Sequence, residues 1–493
     1  MTTQYPGPAP QPTPPAAPPP LPIPPGAGLQ SDADIQGNIF AGFNKDYAAL
    51  LFLQLKDQTT GRAYLTDLVP LVANNADVST FNAAFSQALR SSGSDPDNLN
   101  ATWVGVSITA PGLETLVPQT VQNSLQNSPF RLDPTVASFL AGAAADSAVV
   151  AQQGPEAPAN WYFGRSDQPI HVILSVESDT ASSLLGIMQE LGQLASKHEV
   201  VTIFQQDGAT LPGARHGHEH FGFKDGISQP AVQGFVTTDP DGQPLIAPGE
   251  FVLGFPGQGP SRANGRAVPQ WMFKGSFLVI RRIAQDVAGW WNQAEQLAPA
   301  AGIGAEALGA KLVGRWRDGT PLDLDPNNDP RSGADQSTSN AFDYSDDADG
   351  AKVPLFVHIR KVNPRKAAAP GPGVTDQHRI IRRGIPFGDP FDPASGKDHG
   401  PDAERGLVFA CYQASIPDQF SFLQRTWADN SDFPTPGAGP DPVIGPKGTC
   451  PLAETSGTPV PLSVGQFVKI EGATYSFTPS ISTLQQLASG QLS

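Results

Sequence analysis

Apolar residues along this chain fall into short strand-like blocks that are separated by stretches with helical spacing. In the first half the strand-like blocks are residues 47–56, 101–109, 171–176 and 200–205. Helical spacing of apolar residues occurs at 62–72, 79–89 and 181–198. Because alternating or compact apolar blocks indicate strands and a spacing of three to four indicates helices, the first half predicts a sheet with helices between its strands.

The second half repeats this alternation. Its predicted strands are residues 251–254, 276–283, 355–359 and 406–414, and a helix is predicted at 419–427. Strands separated by helices, with few strands in each half, favour an α+β or split βαβ fold over a long parallel sheet. We predict two related halves, residues 31–235 and 236–493, although no sequence repeat relates them.

The first 30 residues have a different composition from the rest. Residues 1–25 contain 12 prolines, which predicts a disordered polyproline tail over residues 1–30. This stretch has neither the basic start and apolar core of a secretory signal nor paired arginines. No apolar run along the chain approaches the roughly 20 residues that span a bilayer. These features predict a cytoplasmic protein, with unconventional export to the extracellular space as the alternative.

The net charge of the chain limits the kinds of molecule that it can bind. The 493 residues carry a formal net charge of -16, and binding to nucleic acid or to an anionic membrane needs a broad basic surface. We therefore expect neither partner. The two cysteines, Cys411 and Cys450, form neither a disulfide framework nor a metal-binding motif, and we predict that both are packing residues.

One basic segment departs from this acidic balance. Residues 357–388 contain seven Lys or Arg, and His358 precedes them on the predicted strand 355–359. Alternation along that strand places Arg360 on the same face as His358. A histidine beside an arginine can bind haem iron and a haem propionate, whereas the same histidine alone is often an ordinary core residue. A ligating imidazole also needs an acceptor for its second N–H, for which the sequence offers Asp418, Asp429 and Asp432.

Two further residues fit the chemistry of peroxide cleavage. Asp225 lies in the glycine-flanked segment GFKDGISQP at residues 222–230, and Arg382 precedes the turn-forming GIPFG at 384–388. A carboxylate can move a proton between peroxide oxygens, and a guanidinium can stabilise the departing charge. The alternatives are an aspartate that only bonds its own turn and a solvated basic turn, with Arg379 and Arg383 available for propionates or surface ion pairs.

A competing metal site lies at residues 215–220, RHGHEH. His216, His218 and His220 with Glu219 resemble zinc or iron ligands. However, such sites usually need a ligand from elsewhere in the chain to complete the shell. This motif therefore has two interpretations: it is the metal site of a non-haem hydrolase, or it has a structural role before the loop that follows.

The chain resembles the dye-decolorizing peroxidases, in particular the longer classes of fungi and some bacteria. The resemblance rests on GFKDGISQP, HIRKVNPR, IIRRGIPFG and RGLVFACYQASIPDQFSFLQRTW, supported by DIQGNIFAGFNK and AKLVGRWRDGTPL. It covers residue 34 to the C-terminus. It implies an α+β fold of two ferredoxin-like domains, each an antiparallel sheet with peripheral helices, and one haem b per chain held mainly by the second domain.

The resemblance also assigns roles to individual residues. It implies His358 as the proximal iron ligand, Asp225 as the distal acid/base and Arg382 as the distal arginine. It further implies haem contacts from Gly226, Arg360, Leu407 and Phe409, and a possible surface electron relay at Trp427. Phe387 stands where some relatives have a tyrosine, which argues against efficient oxidation of bulky donors.

The implied activity is reduction of hydrogen peroxide through a ferryl and porphyrin-radical intermediate, followed by oxidation of dyes and phenols. Because an aspartate with a pKa of about 3.9 stays ionised where a histidine near 6.5 is protonated, we expect an acidic optimum. A haem carrier or sensor with incidental peroxidase activity is the alternative, although haem binding alone requires neither Asp225 nor Arg382. Partners are hydrogen peroxide and small or bulky organic reductants, and the sequence leaves open whether the chain is a monomer or a homo-oligomer.

Overall fold

Strands and helices alternate through both halves of the chain, as the apolar pattern predicts. The computed structural model describes residues 18–93, 96, 99–117, 133–150, 157–239, 241–326, 340–366, 374–393, 404–452 and 459–492. Its strands are β1 (Tyr47–Gln54), β2 (Thr102–Ile108), β3 (Val172–Ser178), β4 (Val201–Ala209), β5 (Ser276–Gln285), β6 (Ile381–Arg382), β7 (Ile385–Phe387), β8 (Gly406–Gln413), β9 (Gly448–Leu452), β10 (Val460–Val464) and β11 (Val468–Thr478).

The α-helices of the described residues lie mostly between these strands. They are α1 (Gln58–Leu68), α2 (Asn75–Ser92), α3 (Ala110–Leu116), α4 (Pro134–Ala141), α5 (Ser147–Val150), α6 (Ala181–Lys197), α7 (Val287–Leu297), α8 (Ala305–Val313), α9 (His358–Val362), α10 (Phe420–Phe422) and α11 (Ile481–Ser489). A π-helical segment, Leu423–Ala428, continues directly from α10.

Among the described residues, nine strands form one antiparallel sheet in the order β4-β1-β3-β2-β11-β5-β8-β6, with β7 also paired to β8. The two halves of this sheet meet where Phe477 of β11 pairs with Ile108 of β2. At the other end, Gly208 of β4 packs against β7, since a Cβ at this position would lie 2.6 Å from Ile385 Cγ2. The structure therefore confirms the predicted α+β fold with two ferredoxin-like halves, and the exact domain boundaries stay a prediction.

Both faces of the central strands are buried, which explains their uninterrupted apolar sequences. In β1, Leu51 and Leu53 belong to one hydrophobic cluster and Leu50 and Phe52 to another. Successive side chains of a strand point to opposite faces, so one cluster packs under the helices and the other fills the space enclosed by the sheet. Such strands read as continuous apolar runs because neither face contacts water.

Helices α1 and α2 begin about four residues earlier than their apolar spacing predicts. The side chain of Asp57 accepts a hydrogen bond from Thr60 N at 2.9 Å, and that of Asn74 accepts one from Asp77 N at 3.0 Å. These side chains satisfy N–H groups that the first turn of a helix leaves without an intrahelical partner. The polar caps thus extend each helix beyond its apolar stripe.

Two predicted strands are wrong. Residues 251–254 are a buried turn after the 3₁₀ helix Pro248–Glu250, and residues 355–359 lead into α9 through the extended Val357. A short apolar run has no periodicity long enough to separate a strand from a buried turn or a helix start. As a result, His358 lies at the first residue of a helix and not on a strand.

The prediction of a disordered tail is also wrong for residues 18–30. Leu21 N donates to Gly254 O at 2.7 Å, and Leu29 is fully buried while its N–H donates to Gly234 O. Apolar residues among the prolines therefore attach this segment to the body of the protein. Residues 1–17 of the predicted tail lie outside the described residues. Within the part of the chain that is described, every helix is too short or too polar to cross a bilayer.

Candidate active site

A large cavity lies beside β5 and β8, and both predicted reactive residues, His358 and Asp225, line it. Its empty volume, which includes the solvent at its open mouth, is about 1680 Å³. Much of the wall is apolar and comes from Ile283, Val313, Ile359, Val362, Ile380, Leu407, Phe409, Phe420, Leu423, Val443 and Ile444. The cavity therefore suits a large planar molecule that is mostly apolar.

His358 projects into this cavity from the start of α9. Its Nδ1 lies 2.8 Å from Asp441 Oδ2, and the Asp441 side chain is fully buried. Because an ionised carboxylate only accepts hydrogen bonds, the Nδ1–H donates to it and Nε2 is left as a metal ligand. Burial opposes the charged imidazolium, but the Asp441 carboxylate outweighs burial, and the pKa of His358 is raised.

Asp441 is the acceptor that the sequence did not identify. Its second oxygen accepts hydrogen bonds from Val443 N at 2.8 Å and Ile444 N at 3.0 Å, so the carboxylate is held rigidly. The three acids suggested by the sequence have other partners: Asp418 pairs with Arg266, Asp429 accepts from Gln424, and Asp432 accepts from Gly437 N. Asp441 is 83 residues from His358, and only its place between Pro440 and Pro442 hints at a rigid turn.

A second histidine, His378, also lines the cavity. Its Nδ1 donates to the main-chain oxygen of Asp418, and its ring stacks on Phe422 with centroids 3.8 Å apart. Burial lowers the pKa of His378. His378 is 8% exposed, whereas the side chain of His358 is 26% exposed. His358, paired with a carboxylate and more open to the cavity, is the better candidate for a metal ligand.

Asp225 reaches the cavity from a loop that several backbone hydrogen bonds hold. Asp225 N donates to Gly217 O at 3.0 Å, and Lys224 N donates to Arg317 O at 3.0 Å. Gly226 follows with a φ of 76°, a left-handed conformation that favours glycine, and its N–H donates to Asp225 Oδ1 at 2.6 Å. Asp225 thus bonds its own turn and also lines the cavity.

Arg382 meets Asp225 at the cavity wall. Arg382 Nη1 donates to Asp225 Oδ1 at 2.7 Å, and Nη2 donates to Ser228 O at 3.3 Å. Gln229 holds the Arg382 backbone from both sides, because its Oε1 accepts from Arg382 N and its Nε2 donates to Arg382 O. Two residues that are 157 positions apart in sequence therefore form one unit.

The charge state of Asp225 results from opposing effects. Burial disfavours the carboxylate, but Arg382 and the Gly226 N–H favour it, and the pKa of Asp225 is lowered below its usual value. The side chain keeps 37% of its exposure, and it lines both the main cavity and a smaller polar cavity beside it. Asp225 is thus an ionised base that small molecules in the cavity can contact.

A group of arginines lines the same cavity. Burial, together with the nearby Arg365 cation, lowers the pKa of Arg315 and of Arg379 to about 10. Arg365 donates to Asn340 O and Phe342 O, which are neutral acceptors. Buried cations that repel one another are stabilised by a bound anion. An apolar cavity with a histidine and clustered arginines fits haem, whose propionates are anionic.

Arg360, predicted to contact a propionate, does not line the cavity. Only 2% of it is exposed, and its guanidinium donates to Asp347 Oδ2 at 2.9 Å and to the main-chain oxygens of Asp347 and Val353. The prediction assumed a strand, in which residues 358 and 360 share a face. In a helix, residues two apart point about 200° apart, so Arg360 faces away from His358.

The other cofactor contacts implied by the resemblance line the cavity, whereas the tryptophan implied as a surface electron relay is buried. Gly226, Leu407 and Phe409 all line the cavity. Trp427 is 5% exposed and stacks on Phe433 with centroids 5.2 Å apart, so the prediction of a surface position is wrong. Trp427 lies in the π-helical segment Leu423–Ala428, and Leu423 and Gln424 of the same segment line the cavity.

The competing motif at residues 215–220 does not form a metal centre. His216 contacts Asp46 Oδ1, His218 contacts the main-chain oxygen of His216, and His220 contacts that of Phe387. Glu219 accepts hydrogen bonds from Phe221 N and Phe223 N, each at 2.9 Å, and burial raises its pKa to about 7. Among the residues that the structure describes, no group of three or more His, Cys, Asp or Glu is placed to hold a metal ion.

Two family models match the chain. One, described as "DyP dimeric alpha+beta barrel domain", matches residues 34–212, and the other, described as "Dyp-type peroxidase, C-terminal", matches residues 258–434. The dye-decolorizing peroxidase msp1 of Mycetinis scorodonius is 32% identical over 482 residues, which cover 92% of this chain and 87% of that protein.

Solved structures of dye-decolorizing peroxidases are similar to the whole chain. An ancestral D-type dye-decolorizing peroxidase superposes with a TM-score of 0.77 at 29% identity and covers 95% of this chain and 99% of its own. A dye-decolorizing peroxidase in complex with 2,6-dimethoxyphenol gives a TM-score of 0.77 at 30% identity, with 92% and 99% covered. The similarity therefore extends over both halves of the fold.

Proposed function

The chain belongs to the dye-decolorizing peroxidase family and is a haem-dependent peroxidase. From this premise we propose which role each residue of the cavity has. His358 is the proximal iron ligand, and Asp225 with Arg382 is the pair that acts on hydrogen peroxide. The observation that carries the proposal is the Asp225–Arg382 pair at 2.7 Å in the wall of the cavity that His358 also lines.

We propose that one haem b per chain occupies this cavity. His358 would hold the iron through Nε2, Leu407 and Phe409 would contact the porphyrin, and Arg365 with Arg379 would bind the propionates. Such basic residues replace the Arg360 contact that the sequence suggested. When bound, haem supplies an iron that hydrogen peroxide oxidises and that organic donors reduce again by single electrons.

The side chains supply binding, orientation and proton transfer. Asp225 Oδ1 already accepts from Gly226 N and Arg382, and among the described residues Oδ2 has no hydrogen-bond partner. Oδ2 can therefore take the proton from one oxygen of peroxide and return it to the other. The Arg382 guanidinium, which donates to Asp225 Oδ1 and Ser228 O, stabilises the negative charge that develops on the departing oxygen.

Asp441 completes the site on the side of the histidine. By accepting the Nδ1–H it fixes the ring orientation and adds electron density to the imidazole, which favours cleavage of the O–O bond. We propose dyes and phenols as donors, since one structural relative was solved with 2,6-dimethoxyphenol. A carrier or sensor is not favoured, because haem binding alone gives no reason for an aspartate and an arginine paired in this way.

The test is the reaction of the haem-loaded protein with hydrogen peroxide, followed by stopped-flow absorption. Asp225→Asn and Arg382→Leu should retain haem and slow the bimolecular reaction with peroxide by roughly 10²-fold or more. Asp46→Asn, an exposed carboxylate that contacts His216, is the matched control and should react at the wild-type rate. Wild-type rates in the Asp225 and Arg382 variants would refute the assignment.

A further inference from the structure

Lys361 in α9 is a fully buried cation, three residues after His358. Residues three apart in a helix lie on the same side, so the side chains of His358 and Lys361 leave α9 in similar directions. Burial of an ammonium group costs free energy unless acceptors or an opposite charge stabilise it. The position of Lys361 therefore needs an explanation beyond packing.

Lys361 and His358 contact the same loop. Lys361 Nζ donates to Asn430 O at 2.6 Å and also to Phe433 O. His358 Nδ1 donates to the carboxylate of Asp441, which lies further along the same segment. One loop therefore joins the buried ammonium group to the carboxylate that orients the candidate iron ligand.

Two main-chain hydrogen bonds hold this loop in shape. Asp441 N donates to Ala428 O and Gly439 N donates to Ser431 O, each at 2.8 Å. The two carbonyl groups that accept from Lys361, at positions 430 and 433, lie between Ala428 and Asp441 in sequence. Because these acceptors are fixed, the ammonium group is held in one place relative to Asp441.

The charges near Lys361 favour a link with Asp441. Burial lowers the pKa of Lys361 to about 8, and of the carboxylates that oppose this effect Asp441 is the strongest, ahead of Asp432 and Asp429. Lys361 is therefore a cation at neutral pH. Among the described residues, its two hydrogen-bond acceptors are neutral carbonyl groups, so its charge is not consumed by a direct ion pair.

Asp441 needs a nearby positive charge once His358 binds iron. Its side chain is fully buried. An imidazole that binds iron through Nε2 and donates its Nδ1–H is neutral, so it gives Asp441 a hydrogen bond but no positive charge. A buried carboxylate is costly unless a cation or several donors compensate it. The Lys361 ammonium group supplies that cation.

We propose that Lys361 is a positioning residue that acts through Asp441: its cation balances the carboxylate and so limits the electron density that His358 passes to the iron. The inference rests on the proposed function, because it requires His358 as the iron ligand. A carboxylate that accepts the Nδ1–H makes the imidazole more basic and lowers the reduction potential of the iron. A cation that faces this carboxylate weakens the effect, so Lys361 keeps the potential higher.

The experiment measures the midpoint potential of the haem-loaded protein in four forms: wild type, Lys361→Met, Asp441→Asn and the double variant. Methionine has nearly the length of lysine but no charge. We expect Lys361→Met to favour ferric over ferrous iron about tenfold, which is a fall of about 59 mV. In the Asp441→Asn background the same substitution should shift the potential less than about half as much, because the charge that Lys361 balances is absent.

The iron–histidine stretching band in the resonance Raman spectrum of the ferrous protein is the second readout. It should move to higher frequency in Lys361→Met, since the imidazole becomes more anionic. Lys311→Met in α8 is the matched control. Lys311 is also partly buried, and burial lowers its pKa, but it faces Asp347. This control should keep both the wild-type potential and the wild-type band.

A second substitution guards against a folding defect. Lys361→Gln can still donate to one of the two carbonyl groups, and it should shift the potential in the same direction as Lys361→Met. If both variants lose haem, Lys361 only holds the loop in place and the inference is overturned. An unchanged potential in Lys361→Met overturns it too, as does an equal shift in both backgrounds, which would mean that Lys361 acts on the iron without Asp441.

The outcome is separate from that of the proposed function. If His358→Ala abolishes the Soret band while Lys361→Met leaves the potential unchanged, the role of Lys361 is refuted and the iron ligand stands. If His358→Ala keeps the wild-type Soret band, the assignment of the iron ligand fails instead.

Discussion

The carboxylate of Asp441 lies 2.8 Å from Nδ1 of His358, although 83 residues separate them in sequence. Asp441 is fully buried and is held by the N–H groups of Val443 and Ile444. This contact fixes which nitrogen of His358 faces the cavity, and it links the turn after residue 440 to the start of α9. The proximal side of the site is therefore built by two segments that the sequence pattern does not connect.

Replacing Asp441 by Asn should weaken the proximal side without removing the ligand. The amide oxygen of Asn can still accept the hydrogen bond from Nδ1. The negative charge of the Asp441 carboxylate is lost, however, so the midpoint potential of the haem iron should rise. We expect haem affinity or peroxidase activity to fall roughly 10- to 100-fold. Potentiometry and haem titration measure both effects. Asp432→Asn, an exposed acid that accepts from Gly437 N, is the control and should match wild type.

Removing Arg382 should move the acid limit of activity to higher pH. The pKa of Asp225 is lowered because Arg382 and the Gly226 N–H together outweigh burial. In Arg382→Leu the burial remains and the guanidinium is gone, so the pKa of Asp225 rises and the base is protonated at a higher pH. The bimolecular rate with peroxide, measured from pH 3 to 7, reports this shift. An acid limb at the same pH in both proteins would exclude Asp225 as the titrating base.

Arg360 should matter for stability and not for haem contact. The Arg360 and Asp347 side chains are 2% and 3% exposed and form a pair at 2.9 Å. Arg360→Met leaves Asp347 without its cation, and we expect a loss of roughly 3–5 kcal/mol in the free energy of unfolding. Denaturant unfolding of the apoprotein measures this loss. If the variant is as stable as wild type but binds haem poorly, the result would instead support the propionate contact that the sequence suggested for Arg360.

Most of the sheet could be predicted from the sequence, because both faces of strands such as β1 and β5 are buried and leave long apolar runs. The error at residues 355–359 has a physical cause: five apolar or alternating residues fit a strand, but Val357 ends an extended segment and His358 begins α9. Because of that error, Arg360 was wrongly predicted to share a face with His358 and to contact a propionate. Side-chain pairs across long sequence separations, such as His358 with Asp441, leave no local periodicity and could not be predicted.

The reactive residues were easier to find than their partners. Asp225 and Arg382 stand in glycine-rich turns whose sequence is specific, and the structure brings them within 2.7 Å of each other. Arg365 and Arg379, which line the cavity, belong to the same basic segment as Arg360, and only the three-dimensional arrangement distinguishes them. Burial likewise showed that Trp427 does not lie at the surface.

The absorption spectrum of the haem-loaded protein tests the central claim most directly, namely that His358 is the iron ligand. His378 is the other histidine in the cavity wall, so His358→Ala and His378→Ala form a matched pair. We predict that His358→Ala loses or strongly shifts the Soret band after reconstitution, and that His378→Ala keeps the wild-type band. A wild-type Soret band in His358→Ala, with its loss in His378→Ala, would contradict the account.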